Sequence, residues 1–429
     1  MTEVATTLDE AYRVCNPDSP LRADDERYVD LSGIRGTKRI ADTVTRRVRR
    51  SAAGEALQLL FTGHRGSGKS TELFRLKATL EDERFFAVYL DVEEVLDLVE
   101  ISYLDVLLAI AREMEASLRE AGMPLPQQLS ASISEWFAET IVEGQKTTDL
   151  NAGLTTKAQA GSEIPLLAKF LSTFTAEIKT ASSRRTTTRQ KLERELVVFI
   201  DKLNTLIGTA RQNVQREGYK DLVLIVDGLE KMHYTVNTEG VSSHAELFVH
   251  HAEQLKAPAC HIIYTLPVSL AYSANLGNDY DEIIVLPMVK TTPEGVDRLL
   301  EVISRRVAID QVFASRELLE QLAKLSGGVI RDLMRLVRMA TDTDEEKIQK
   351  DDVDYASQTL IREYDRLLRN HDIDDLKWVK TYQRAQADEA HARLLNLRLI
   401  LEYQNGERWA DLHPALEQIG WVRQALADE

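Results

Sequence analysis

Cysteine is nearly absent from this 429-residue chain: Cys15 and Cys260 stand alone, far apart and outside any CxxC pair. That excludes a disulfide framework and a cysteine-built zinc site. No stretch approaches the roughly 18 consecutive apolar residues of a membrane span. The acidic start, Met1-Thr2-Glu3, is not that of a signal peptide. Excess positive charge is missing too. Fifty-three Lys and Arg stand against 69 Asp and Glu, a net −16. That balance works against a general coat for nucleic acid, whose phosphates reward positive charge, but leaves room for a small basic surface. No repeat of fixed period occurs, and there is no GxSxG elbow and no HExxH pair. What remains is an ordinary globular composition, 44% hydrophobic and 28% charged, long enough to bury a full core without staples. The length suggests about three domains, and the expected location is the cytoplasm.

Five short apolar runs read as buried strands: 56–61, 85–91, 221–226, 260–265 and 282–286. Helical patterns separate them, so the chain reads as α/β with a mostly parallel sheet. Residues 1–50 form an arm and linker. The first 30 are polar and extended, interrupted by Pro17 and Pro20, and a helix over 37–50 follows. Between Arg35 and Arg50 lie seven basic residues and one acid, Asp42. They make either a solvated face or a contact for a nucleotide, a nucleic acid or a neighbouring subunit. The sheet domain spans 51–292 and carries a helical insertion at about 120–216. Within it, 145–165 is rich in Thr, Ala and Gly, 180–190 (TASSRRTTTRQ) is polar punctuation, and a long helix covers 190–216. Residues 293–369 read as successive helices with a boundary at Gly327-Gly328. In 370–429 a helix, a strand, the tight turn Asn405-Gly406 and a return strand suggest a small winged-helix-like unit.

The strongest signal is Gly63-His64-Arg65-Gly66-Ser67-Gly68-Lys69-Ser70-Thr71, a complete GxxxxGK[ST] between an apolar strand and a helix. Glycines let consecutive backbone N–H groups point at phosphate oxygens, and the helix N-terminus adds partial positive charge. In this pattern Lys69 reaches the β- and γ-phosphates and the Ser70 hydroxyl ligates Mg²⁺. The apolar run Leu222–Val226 ends in Asp227, the expected second magnesium ligand. Gly228 follows where many ATPases place a glutamate. Glu230, in Asp227-Gly228-Leu229-Glu230, is either the base that activates water or a surface acid. Thr265, at the end of the next strand, is either a water-orienting hydroxyl or a simple strand end. Arg331 opens a helix after the double glycine and either reaches the phosphates or is solvated. His244, His250 and His251 read as a helix surface, since no second cluster matches them. Phe85, Phe86, Tyr89 and Trp136 read as core.

These residues resemble the AAA+ and STAND-type P-loop ATPases, nearest the origin-recognition-like branch, over about 30–360. The resemblance rests on the Gly63–Ser70 loop, the Asp227 strand, the Thr265 strand end and Gly-Gly-Val-Ile-Arg331. It implies a sheet of order 5-1-4-3-2, a helical lid and a C-terminal winged helix. It also implies ATP or ADP with Mg²⁺ as ligands, and adenine held around Tyr28-Val29-Asp30 and Arg35-Gly36. Asp227-Gly228-Leu229-Glu230 is similar to the Asp-Gly-x-Asp/Glu of NACHT-type members, which favours a slow switch over brisk hydrolysis. Such families act as homo-oligomers or on protein effectors, in bacterial signalling or antiviral defence among other roles, with an arginine supplied across the interface. Arg184, Arg185, Arg189, Arg305 and Arg306 are undiscriminated candidates for that arginine. Three functions follow: an ATP-driven switch, a winged-helix DNA loader, or a scaffold that binds ATP without turnover. In 371–429 acids outnumber bases, so nucleic acid is not the favoured partner.

Overall fold

The computed structural model describes residues 4–52, 54–142, 166–180 and 182–427. At its centre lies a five-stranded sheet of β1 (Gln58–Gly63), β2 (Phe86–Asp91), β3 (Leu222–Asp227), β4 (His261–Leu266) and β5 (Glu282–Leu286). Every strand pair is parallel and the order is β2-β3-β4-β1-β5. Read from the other edge this is 5-1-4-3-2, the P-loop AAA+ arrangement. The apolar runs are continuous because both faces are covered. Leu59, Phe61, Val223, Ile225 and Ile263 point to one side, where the helices Ile40–Arg50 and Lys69–Asp82 pack. Leu60, Leu224, Val226, Ile262 and Tyr264 point to the other, against the helices inserted between β2 and β3. Observed strand limits differ from the expected ones by two residues at most at either end.

The insertion contributes helices Tyr103–Glu120, Gln127–Val142, Leu166–Thr180, Ser182–Arg194 and Leu196–Arg216. The Thr/Ala/Gly-rich stretch at 145–165 lies outside the described residues. Two expectations need correction here. The polar 180–190 stretch does not punctuate the chain; most of it belongs to the helix Ser182–Arg194, and the expected long helix begins at Leu196. The reason lies far away in sequence. Arg185 pairs with Asp97 at 2.8 Å and with Glu100 at 2.5 Å, and Arg189 pairs with the buried Asp105. Both arginines are therefore engaged within the chain.

The N-terminal arm is also more ordered than its composition suggests. Thr7 and Glu10 form a reciprocal capping box that starts the helix Leu8–Val14, and Ala5 bridges to Val307. After the sheet come helices Pro293–Ser304, Arg316–Leu325, Ile330–Ala340 and Lys350–Leu367. They share one core with the arm and with the C-terminal elements. Those elements are helices Asp372–Tyr382, Glu389–Asn396 and Gly420–Ala427 and the antiparallel pair β6 (Ile400–Asn405) and β7 (Glu407–Leu412), turning at Gly406. Among the described residues no helix is long and apolar enough to cross a membrane.

The basic charges at and within the helix Ile40–Arg50 are partly matched by acids. Arg39 pairs with Asp30, Arg47 with Glu282 and Arg49 with Glu83. His244 is a further correction: it is buried rather than on a helix surface, with Nε2 3.2 Å from the Met232 carbonyl, and burial lowers its pKa. A π-turn over Glu246–His250 breaks the regular helical spacing that would align it with His251. Among the described residues no three His, Cys, Asp or Glu gather as a metal site.

Candidate nucleotide site

The C-terminal ends of β1, β3 and β4 meet where the strand order reverses, the place where open α/β sheets bind ligands. The phosphate loop leaves β1 there. Gly66 adopts φ +82, and a Cβ on it would lie 2.5 Å from the Arg331 Cβ, so glycine is required on both counts. A cleft of about 560 Å³ opens beside the loop. Ser67–Thr71 and Glu230 give it polar lining, and Val14, Val29, Leu31, Val302, Ile330 and Met334 give it apolar lining. The volume suits a small-molecule ligand.

Lys69 is buried, and each of its three ammonium donors has an acceptor: the Gly63 carbonyl at 3.0 Å, the His64 carbonyl at 3.2 Å and Glu230 Oε1 at 3.1 Å. Glu230 reaches Lys69 because Gly228, at φ +95, turns the chain sharply after β3 into the 3-10 turn Leu229–Lys231. A side chain at 228 would also press on Val92 and Asp91, at 3.1 and 3.3 Å. Burial raises the Glu230 pKa, but the Lys69 charge and the nearby Thr265 hydroxyl outweigh it, and the net shift is downward. Glu230 is therefore a carboxylate, and among the described residues its Oε2 has no partner. Thr265 is fully buried. Its hydroxyl accepts from the Leu229 N–H at 3.1 Å and donates to the Val226 carbonyl at 3.4 Å. Thr265 thus holds the turn that carries the acid, and it does not line the cleft.

Asp227 receives the Tyr89 hydroxyl on Oδ2 at 2.5 Å, and its buried Oδ1 has no partner among the described residues. Burial and the nearby Glu230 charge push its pKa up, opposed by the Tyr89 hydrogen bond and the nearby Ser70 hydroxyl. Sequence reasoning takes Tyr89 for core and misses this bond. Arg35 is fully buried below the loop, donating to the Ser67 carbonyl at 2.6 Å and to the Pro287 carbonyl. It fixes the backbone of the loop. Arg65, Ser70 and Thr71 line the cleft, and Thr71 Oγ1 accepts from the Leu21 N–H at 3.2 Å, anchoring the arm. Arg331 lines it too. Its N–H donates to the Gly66 carbonyl at 3.1 Å, and its guanidinium pairs with Asp18 of the arm. Of the arginines considered for a neighbouring subunit, Arg306 is buried at the cleft and Arg305 pairs with Glu301.

The His64 side chain does not line the cleft. Its ring is turned away from the cleft and buried against the C-terminal elements: Nε2 accepts from the Glu402 N–H at 2.9 Å, and Nδ1 lies 3.2 Å from the Leu395 carbonyl. Both bonds are made by the neutral ring with its proton on Nδ1. Burial pushes the His64 pKa down to about 3, from 6.5. In the unfolded chain the ring takes a proton below about pH 6.5, and in the folded one only near 3. Its stabilising contribution is thus complete above 6.5 and is lost as pH falls toward 3, at up to about 1.4 kcal/mol per pH unit. Urea unfolding at pH 7, 6 and 5 is expected to show a shallower acid decline for His64→Ala than for the unchanged chain. Parallel declines would mean that the ring is not held neutral.

No family model matches the chain, and no curated protein matches it. Among solved structures, similar arrangements occur in a Walker-type ATPase of Pyrococcus abyssi, at 14% identity over 96% of this chain and 99% of that one, with a TM-score of 0.39. Cdc6p of Pyrobaculum aerophilum matches at 13% identity over 96% and 97%, with a TM-score of 0.40. A RuvB variant of Thermotoga maritima matches at 14% over 86% and 87%, with a TM-score of 0.33. At such scores these likenesses lend no residue a role, and the fold assignment rests on the sheet order itself.

Proposed function

We propose that this chain is an ATP-binding, ATP-hydrolysing switch whose nucleotide state controls its conformation and, through it, assembly or partner binding. The observation that carries the reading is the phosphate loop's position between two other parts of the molecule. Gly66 accepts a hydrogen bond from Arg331 on one side, and His64 is bonded to Leu395 and Glu402 on the other. Whatever moves the loop on binding phosphate is felt by both. Next to Arg331, the buried Asp332 accepts from Tyr364 at 2.6 Å and faces His413 and Arg398, extending the link into the C-terminal elements.

In this reading the triphosphate lies along Gly66–Thr71 and the base against the apolar lining of the cleft. Arriving phosphate oxygens compete with Glu230 for Lys69, and a freed Glu230 becomes available to polarise an attacking water. Ser70 and Asp227 offer the hard oxygen donors that suit Mg²⁺, and the unpartnered Asp227 Oδ1 fits that use. With so few protein ligands, the cation would be shared with the phosphates and offset their charge. We read 293–369 as the lid and 370–429 as a winged-helix-like module for protein contacts.

Calorimetry with ATP, with and without Mg²⁺, together with steady-state phosphate release, tests the reading. An unchanged chain that binds no ATP overturns it, and binding without turnover leaves an ATP-holding scaffold. Salt-dependent affinity for duplex DNA would instead favour a loader. Arg331→Ala is expected to bind ADP nearly normally yet to lose any difference in scattering profile between the ATP and ADP states, because its guanidinium is the group that can exchange Asp18 for phosphate. A variant that responds to the two nucleotides as the unchanged chain does would remove Arg331 from the coupling.

A further inference from the structure

Tyr89 stands on β2, one strand away from Asp227 on β3. The two strands are paired so that Asp91 lies beside Asp227 and Tyr89 beside Ile225. Tyr89 is therefore the diagonal neighbour of Asp227 on the same face, a separation a tyrosine side chain spans. Its hydroxyl donates to Asp227 Oδ2 at 2.5 Å. Its ring stacks on Phe74, with centroids 4.5 Å apart. Phe74 lies one turn after Ser70 on the helix Lys69–Asp82, so it shares the face of that hydroxyl. Ser70 in turn lies near enough to the Asp227 carboxylate to lower its pKa. Tyr89 thus holds one oxygen of the carboxylate, while Oδ1 is buried and has no partner among the described residues.

We propose that Tyr89 is the positioning residue of the cation site: it fixes the Asp227 carboxylate in the one orientation that leaves Oδ1 for a divalent cation arriving with the nucleotide. The inference rests on the nucleotide reading above. It adds a residue that no phosphate-loop pattern contains. Tyr89 itself is not a ligand. Its O–H restrains the rotation of the carboxylate, and its stack on Phe74 ties that restraint to the helix bearing Ser70. Groups that orient metal ligands from behind typically alter metal affinity about 10- to 100-fold when removed.

The test is Tyr89→Phe, which keeps the stacked ring and deletes the hydroxyl. A non-hydrolysable ATP analogue is titrated by calorimetry in EDTA and at increasing Mg²⁺, and Mn²⁺ binding to the analogue complex is followed by paramagnetic resonance. The Mg²⁺ concentration that half-saturates the binding enhancement is expected to rise about tenfold, with affinity in EDTA unchanged. A half-saturating Mg²⁺ equal to that of the unchanged chain overturns the role of Tyr89. Equal losses in EDTA and in Mg²⁺ also overturn it, since they mark a general weakening of the cleft. Phe74→Leu, which keeps the hydroxyl, is expected to shift the midpoint less than Tyr89→Phe, and a larger shift would assign the effect to packing. If the unchanged chain shows no nucleotide binding at all, the nucleotide reading fails first, which separates the two failures.

Discussion

Lys69→Ala is expected to lower ATP affinity at least about 100-fold, equivalent to losing roughly 2.7 kcal/mol of charge-assisted contact with phosphate. The geometry adds a second consequence. Lys69 and Glu230 are about 5% exposed as side chains and 3.1 Å apart. Removing the ammonium leaves Glu230 buried without its counter-charge, so the variant is also expected to unfold more easily, by about 3 kcal/mol in urea titrations at neutral pH. Adding Glu230→Gln removes the stranded charge, and the double variant should recover most of that stability while still failing to bind ATP. Calorimetry and urea unfolding on both variants separate the two effects. Unchanged ATP affinity in Lys69→Ala sinks the nucleotide reading. An equally unstable double variant would show that the buried pair is not the origin of the loss.

Glu230→Gln alone is expected to keep ATP bound and to slow phosphate release about 100-fold or more, the usual contribution of a positioned base. The amide matches the acid in size and can still accept a hydrogen bond from Lys69, but it is a far weaker base. The effect should therefore fall on kcat, with little change in KM. The expectation has a structural motive: Glu230 reaches the cleft at the end of a turn set by Gly228 and held by Thr265, and its buried Oε2 has no partner among the described residues. Turnover at the unchanged rate would make Glu230 a resting partner for Lys69 and nothing more.

The sheet and the phosphate loop were legible in the sequence because their signals are local. A parallel strand covered on both faces must be apolar at every position, so Leu222–Val226 announces itself without reference to its neighbours. The loop is written in nine consecutive residues, and Asp227 ends its own strand. The same locality misled elsewhere. The run at 180–190 is polar by composition, yet most of it is helical because Asp97, Glu100 and Asp105 meet its arginines from about 85 residues away. The Thr7-x-x-Glu10 capping box was a local signal for the first helix that the polar composition obscured.

Chemistry that depends on which way a side chain turns was decided by tertiary structure. The sequence places His64 inside the phosphate motif, where every residue invites a nucleotide role. Packing against Leu395 and Glu402 turns its ring the other way. Tyr89 reads as an ordinary aromatic on an apolar strand, and its hydroxyl meets Asp227 from 138 residues away through the pairing of β2 with β3. Glu230 could be found as the nearest acid, but its ion pair with Lys69 depends on the turn at Gly228. Motif and periodicity report what a segment can do with its own backbone. Which groups face one another is set by strand register and by packing between distant elements, and neither is encoded within a single segment.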